Sequence, residues 1–262
     1  MKFSKKLFLI LDVFKFLGIV GLVIWFLARG TEKLGYHWQW YRVPRYLFTF
    51  KAGKFAAGPL LDGLGLTFKI AGVSLGLALA IGLITALFRL SHSFTARALA
   101  HGYLEVIRNT PLLIQLFFIY FVMAPVIDMD AFSSAVLALS LFEGAYASEI
   151  LRAGIVSIHK GQWEAAYSLG ISSYHSYRYV ILPQAFQRIL PPLTSQGVSL
   201  IKDSALVSTI AIYDLTMQGQ AIIAETFLTF EIWFTVAAIY LVITVSLSLL
   251  VQLMEKKMSN PV

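Results

Sequence analysis

Six apolar runs limit what this chain can become more than any other feature. They lie near residues 7–28, 64–88, 98–124, 132–156, 189–213 and 230–253. Each has about 20 to 27 residues, enough to cross about 30 Å of hydrocarbon with some tilt. Backbone N–H and C=O groups find no water there, so runs of this kind must be helical. Composition points the same way. The chain is 58% hydrophobic and 13% charged, where a soluble domain carries about 25% charge. The expected fold is an all-α, polytopic membrane helical bundle. A net charge of +7 can mark a nucleic-acid binder, but here the basic residues flank the apolar runs, which is the pattern of membrane orientation. No nucleic-acid partner is expected. The absence of cysteine removes disulfides, thiolate nucleophiles and Cys-based metal sites.

The amino terminus, "MKFSKKLFLILDVFKFLGIVGLVIWFLARG", has a basic start and an apolar body. A cleaved signal peptide is one reading. Asp12 and Lys15 interrupt the run and no A-x-A site follows, so a retained membrane helix is expected. Short loops set the orientation. Lys2, Lys5 and Lys6 precede the first run, Arg89 and Arg97 flank the turn after the second, and Arg152, Lys160, Arg178 and Arg188 follow the fourth. Lys256 and Lys257 close the chain, while 125–131 and 214–229 are poor in basic residues. Both termini are therefore expected in the cytoplasm. Residues 29–62 break the rule, being external yet basic, and "YHWQWYRVPRYLF" suits an interfacial segment. In the second run, Gly72, Gly76 and Ala80 are spaced by four, which allows close helix approach.

Ionisable residues inside spans are costly and usually face a partner or a cavity. Glu105 and Arg108 share a helical face and can neutralise one another. Thr110-Pro111 removes a backbone donor and should bend the third helix. The carbonyls so freed need partners, so a polar pathway beside Asn109, Thr110 and Gln115 is expected. Glu149 and Arg152 form a second three-residue pair. Glu143 lies deeper, next to Tyr146 in "FEGAY", with no basic residue within four positions. It is the stronger pathway candidate. Lys202 and Asp203, followed by Ser204, break the fifth run. They point about 100° apart and cannot pair well with one another. They offer either a contact for an amino acid zwitterion or an interhelical pair with Glu105, Arg108 or Glu143.

No G-x-x-x-x-G-K-[ST] loop is present, so ATP binding by this chain is not expected. There is no metal-ligand spacing among the five histidines and no catalytic constellation. One polar segment, "GQWEAAYSLGISSYHSYRYVILPQAF", interrupts the apolar chain. It reads as two short helices broken at Gly170, the second capped by Ser172 or Ser173 and limited by Pro183. Ala165, Ala166 and Leu169 make a small apolar surface beside Glu164 that suits either a protein groove or packing on the chain's own spans.

Glu164-Ala165-Ala166, three residues, Gly170, nine residues, then Val180-Ile181-Leu182-Pro183 resembles the EAA loop of ABC-type importer permeases, E-A-A-x3-G-x9-I-x-L-P. Val180 stands where Ile is usual. "GLTFKIAGVSLGLALAIGL", "VIRNTPLLIQLFFIYF", "GAYASEILRAGI" and "KDSALVSTIAIYDLT" resemble the polar amino acid branch, with Glu143 in place of a neutral polar residue. The resemblance implies a five-helix permease core over 63–255, a coupling loop at about 157–186, and an additional N-terminal membrane helix and external loop over 1–62. It implies a transport subunit rather than an enzyme, with no cofactor in this chain and ATP and Mg held by a partner ATPase. Its partners would be cytoplasmic ATPases, a second permease subunit alike or related, an extracytoplasmic amino acid-binding protein and membrane lipid, in a cell inner membrane. Glu164, Ala165, Ala166, Gly170, Leu182 and Pro183 would form the ATPase-coupling contact. Another small polar or charged solute, or a stand-alone secondary transporter, are the alternatives.

Overall fold

A computed structural model describes residues 2–33, 35–51 and 54–258. It has two compact units, Met1–Tyr41 and Arg42–Val262. In the first, α1 (Lys2–Lys33) contains a stretch, Leu11–Gly30, long and apolar enough to span a membrane. Phe14, Ile19, Leu22 and Phe26 are exposed on it, as expected of a surface that lipid solvates. Its polar interruption neutralises itself, because Lys15 Nζ lies 3.7 Å from Asp12 Oδ1 one turn away. Beyond it, Trp38 stacks on Trp40 at 5.7 Å and meets Tyr36 edge-on at 5.5 Å. This is the aromatic cluster expected of an interfacial segment.

The second unit begins with α2 (Pro44–Leu47) and an antiparallel hairpin, β1 (Phe48–Lys51) and β2 (Lys54–Ala57). The packing of this second unit therefore extends back to Arg42. Tyr46 and Leu47 join the buried cluster of Leu60, Leu215, Leu228 and Ile232, and Gly58 N–H donates to Leu47 O at 2.7 Å.

The core follows as five long helical elements. They are α3 (Pro59–Leu90), a rod of α5 (Leu112–Phe117), a π-helical segment Phe118–Met123 and α6 (Ala124–Ile127), then α7 (Ala131–Val156), α10 (Leu182–Asp203) and α12 (Thr229–Met258). Of these, α3, α7 and α12 are each long and apolar enough to cross a membrane. Between them lie α4 (Phe94–Arg108), α8 (Lys160–Ser168), α9 (Ser173–His175) and α11 (Leu215–Thr226). Ile70, Leu116, Leu139, Leu200 and Val207 are buried where four of the five elements meet. Asp130 caps α7 by accepting from Ser133 N–H at 3.2 Å. Hydrogen bonds from Ser133, side chain and then backbone, hold its carboxyl below the usual range.

Three expectations change. The run 98–124 is not one straight helix: α4 and Leu112–Ile127 meet at 104°, the bend falling at Pro111, which has no N–H to continue the helix. Second, 214–229 is not only a loop but holds α11, whose start is capped by Asp214 Oδ1 accepting from Met217 N–H at 2.8 Å. Third, the close-packing stripe of α3 is not Gly72, Gly76 and Ala80, which are exposed. It is the opposite face, Ala71, Ser74, Ala78 and Gly82. Spacing marks a stripe, but the neighbouring helix decides which one is used. A Cβ on Gly82 would lie 2.8 Å from Ala147 Cβ on α7. Gly82→Val should therefore separate α3 from α7 and cost about 1–3 kcal/mol, read as a lowered melting temperature of the detergent-solubilised protein. Gly72→Val should leave that temperature unchanged.

Both π-helical segments, Phe118–Met123 and Ser176–Ile181, stand directly before a helix with proline in its first turn, Pro125 and Pro183. Proline lacks the N–H that an α-turn would need, and the wider π-turn carries the chain past it. Pro183 therefore does not end the helix, contrary to expectation. The helix runs on from α9 through the π segment into α10.

Candidate functional site

The segment 157–186 folds back on its own membrane helices. α8 is capped by His159 Nδ1, which accepts from Gly161 N–H at 3.0 Å. The Trp163 ring meets Tyr177 edge-on at 4.6 Å. Gln184 Nε2 donates to Gln162 Oε1 at 3.2 Å and to Val180 O at 2.7 Å. Beneath, Ile158, Ile181, Ala185 and Ile189 are buried against Ile150, Leu151 and Ile155 of α7. Arg188 Nη1 donates to Ser157 O at 2.6 Å and to Ser157 Oγ at 3.0 Å, tying α10 to the turn between α7 and α8.

Ala166 is buried in this arrangement, so it belongs to the chain's own core and not to the surface expected of it. Glu164 and Ala165 are exposed, with Tyr167 at 49% and Leu169 at 78%. The outward surface is therefore Glu164, Ala165, Tyr167 and Leu169. Gly170 adopts φ +72 with nothing within 4 Å of a hypothetical Cβ. Its requirement is backbone conformation, not space. Leu182 is half exposed at 46%, and Pro183 lies in the first turn of α10.

A second cluster lies within the bundle. Glu143 is 1% exposed, and its Oε2 accepts from Gln196 Nε2 of α10 at 2.6 Å. The Asp203 carboxyl lies close enough to Glu143 for the two to interact electrostatically. Glu143 Oε1 is buried with no partner among the described residues. One residue from Asp203, Lys202 faces elsewhere, into a polar cavity of about 360 Å³ shared with Ser199 of α10 and with Ser248, Gln252 and Glu255 of α12. The two neighbours thus diverge around the helix, as their spacing requires. Tyr146 is half-buried, its ring 5.1 Å from Phe142. Ser204 is fully buried and donates to Ile201 O at 2.8 Å, so its hydroxyl serves its own helix.

The polar residues at the α4–α5 bend serve the bend. Asn109 Nδ2 donates to Glu105 O at 2.8 Å, and Thr110 Oγ1 to Val106 O at 2.8 Å. Gln115 Nε2 donates to Ile107 O at 2.7 Å and Thr110 O at 3.0 Å. Ile107 O is the carbonyl that Pro111, lacking an N–H, leaves unserved, and Gln115 satisfies it. Glu105 and Arg108 do not pair, since Glu105 accepts from Asn109 and Arg108 donates to Glu149 at 2.9 Å. Glu149 also lies 2.7 Å from Arg89 and 3.4 Å from Arg152. Sequence reasoning missed Gln196, Arg188 and the Arg89–Glu149 contact. Each joins residues that are far apart along the chain, and no local spacing announces them.

Among the described residues, no group of three or more His, Cys, Asp or Glu side chains could hold a metal ion.

Residues 78–260 match the family model described as "Binding-protein-dependent transport system inner membrane component". The chain is 41% identical over 202 residues to the glutamine transport system permease protein of Escherichia coli, covering 76% of this chain and 92% of that protein. It is 40% identical over 205 residues to the L-cystine transport system permease protein of Bacillus subtilis, covering 77% and 88%. Among solved structures, an amino acid ABC transporter crystallised with histidines matches with a TM-score of 0.72 and 40% identity, covering 76% of this chain and 94% of that one. An inward-facing methionine ABC transporter matches at a TM-score of 0.66 and 16% identity, covering 77% and 97%. That second likeness speaks for the fold alone.

Proposed function

Because the chain belongs to the family of binding-protein-dependent transport system inner membrane components, we propose that it imports polar amino acids as the permease subunit of an ATP-driven importer. Glutamine and cystine carriers among its relatives support that substrate class. The chain forms the pathway and leaves ATP and Mg to separate cytoplasmic ATPases. A second permease subunit completes the pathway, and an extracytoplasmic binding protein delivers the solute. The protein sits in the cell inner membrane with its C-terminus in the cytoplasm, on the same side as α8.

The observation that carries the reading is the joint between α8 and α10. A helix with an outward surface of Glu164, Ala165, Tyr167 and Leu169 is clamped to the membrane helices through Trp163–Tyr177, Gln162–Gln184 and Ser157–Arg188. A push on such a surface moves α7 and α10 together, which is the two-state tilt that alternating access requires. Along the pathway, Glu143, Tyr146, Gln196 and Asp203 select the solute, while Lys202 lines the separate polar cavity between α10 and α12. Asn109, Thr110 and Gln115 shape its wall, and Ser204 supports the turn after Asp203.

The test is uptake into liposomes holding permease, ATPase and binding protein, with a panel of competing amino acids. ATP-dependent uptake that polar amino acids compete is expected. Uptake driven by an ion gradient without the ATPase would overturn the reading in favour of a stand-alone transporter. A finer test addresses the clamp. Arg188→Gln should leave ATPase binding intact but lower uptake per ATP hydrolysed about three- to tenfold, the weight of an ordinary hydrogen bond of about 0.5–1.5 kcal/mol, because Arg188 is exposed to water. Arg188→Lys should recover part of it.

A further inference from the structure

α4 meets three environments. Ala100, Leu104 and Ile107 are buried in the bundle. Leu99 and Val106 are 63% and 64% exposed. Arg97, His101 and Arg108 are also exposed, on a separate strip at 100° per residue. An apolar face, a basic face and a sharp bend from the rod that follows are the marks of a helix lying in the membrane surface.

At the bend two features adjoin. The first is charge. Arg89 from α3, Arg108 from α4 and Arg152 from α7 share one carboxylate, Glu149. Glu105, held by Asn109, lowers the positive excess without cancelling it. Arg108 is 46% exposed, and Arg152 Nε is buried with no hydrogen-bond partner among the described residues. The second is an apolar groove of about 370 Å³, bounded by Val106, Ile107, Ile114, Phe118, Met123 and Leu141. Arg108 leaves α4 about 160° around the helix from Val106 and reaches α7 at Glu149, while Ile107 packs beside Leu141 of α7. Leu141 stands on α7 about 12 Å from Glu149 at 1.5 Å per residue, on the side away from the α7 end. The groove therefore runs toward mid-membrane from the place where the guanidiniums gather.

We propose that this is a phospholipid site: the Arg89–Arg108–Arg152 cluster holds an anionic headgroup, and the groove at the α4–α5 bend holds one of its acyl chains. The charge commits the groove to an anionic lipid, because surplus guanidinium beside an apolar channel matches phosphate joined to hydrocarbon. The site belongs to the membrane surface at which α3 ends, whichever side that is, and it stands independently of the transported solute.

The permease complex in phosphatidylcholine nanodiscs, carrying a minority of phosphatidylglycerol with a photoactivatable acyl chain, tests it. Labelling is expected on the peptide containing Ile114, Phe118 and Met123. Arg108→Gln should lower that labelling about fivefold, the weight of one surface arginine, and Arg108→Lys should retain most of it. Ile114→Trp, which fills the groove, should lower it with the headgroup cluster intact. Phe118→Trp serves the same purpose if the first variant does not elute as a single species. A photoactivatable phosphatidylcholine that labels the peptide as strongly as the anionic probe, and insensitively to Arg108→Gln, would overturn the proposal. So would cross-links from Ile114→Cys to a second permease copy in place of lipid, or displacement of the anionic probe by inorganic phosphate alone.

Discussion

Gly170→Val is expected to lower ATP-driven uptake about ten- to a hundredfold while the protein still inserts in the membrane. The residue ends α8 at φ +72, and a β-branched side chain in the left-handed region costs about 1–3 kcal/mol. No neighbour lies within 4 Å of the position, so the bundle itself is not disturbed. The turn relaxes instead, and the outward surface of α8 changes its angle to α10. Uptake and ATPase co-purification measured side by side check this. Gly170→Asn, which tolerates left-handed backbone, should retain most of the activity. If valine and asparagine behaved alike, the backbone requirement would not be what Gly170 supplies. Glu164→Lys, a charge reversal on the exposed surface, should weaken ATPase docking without changing the fold.

The second large effect concerns specificity. Glu143→Gln should lower uptake of cationic amino acids relative to neutral ones about ten- to a hundredfold, the weight of about 1.5–3 kcal/mol for a hydrogen bond to a charged group. The amide has the same shape and can still bond Gln196, so a general loss of folding is not expected. Asp203→Asn should act in the same direction because its carboxyl meets Glu143. Competition profiles across acidic, neutral and basic amino acids provide the measurement, and unchanged profiles in both variants would remove these carboxyls from solute selection.

The parts of this architecture governed by local rules were legible in the sequence. Run length revealed the spans, because hydrocarbon thickness sets how many residues a crossing needs. Pro111 revealed a bend, and Gly170 a stop. The angle at Pro111 was not legible, because it depends on how α4 packs on α7 through Leu104 and Ile107. Nor was the inward face of α8: Ala165 and Ala166 look alike in sequence, and only the approach of the helix on which Ile181 and Ala185 lie separates them. In the buried acid cluster, Glu143 and Asp203 stood out as costly charges in apolar runs. Gln196, 53 residues from Glu143, is an ordinary helical residue until the two helices are placed side by side.

The helix that passes Pro183 without stopping has a mechanical consequence. From Ser173 to Asp203 it is a single rod of about 45 Å at 1.5 Å per residue. One end carries the ring that braces α8, Tyr177, and the other carries the carboxyl that meets Glu143. A rod behaves as a lever: displacement at one end reaches the other in a single step, with no relay of intervening side chains. A compliant point within it is Pro191-Pro192, where two missing N–H groups thin the hydrogen-bond ladder and Thr194 Oγ1 donates to Leu190 O and Pro191 O at 2.9 and 2.8 Å. Under the proposed function, the stiffness of that joint sets how much of a stroke begun at α8 arrives at Asp203.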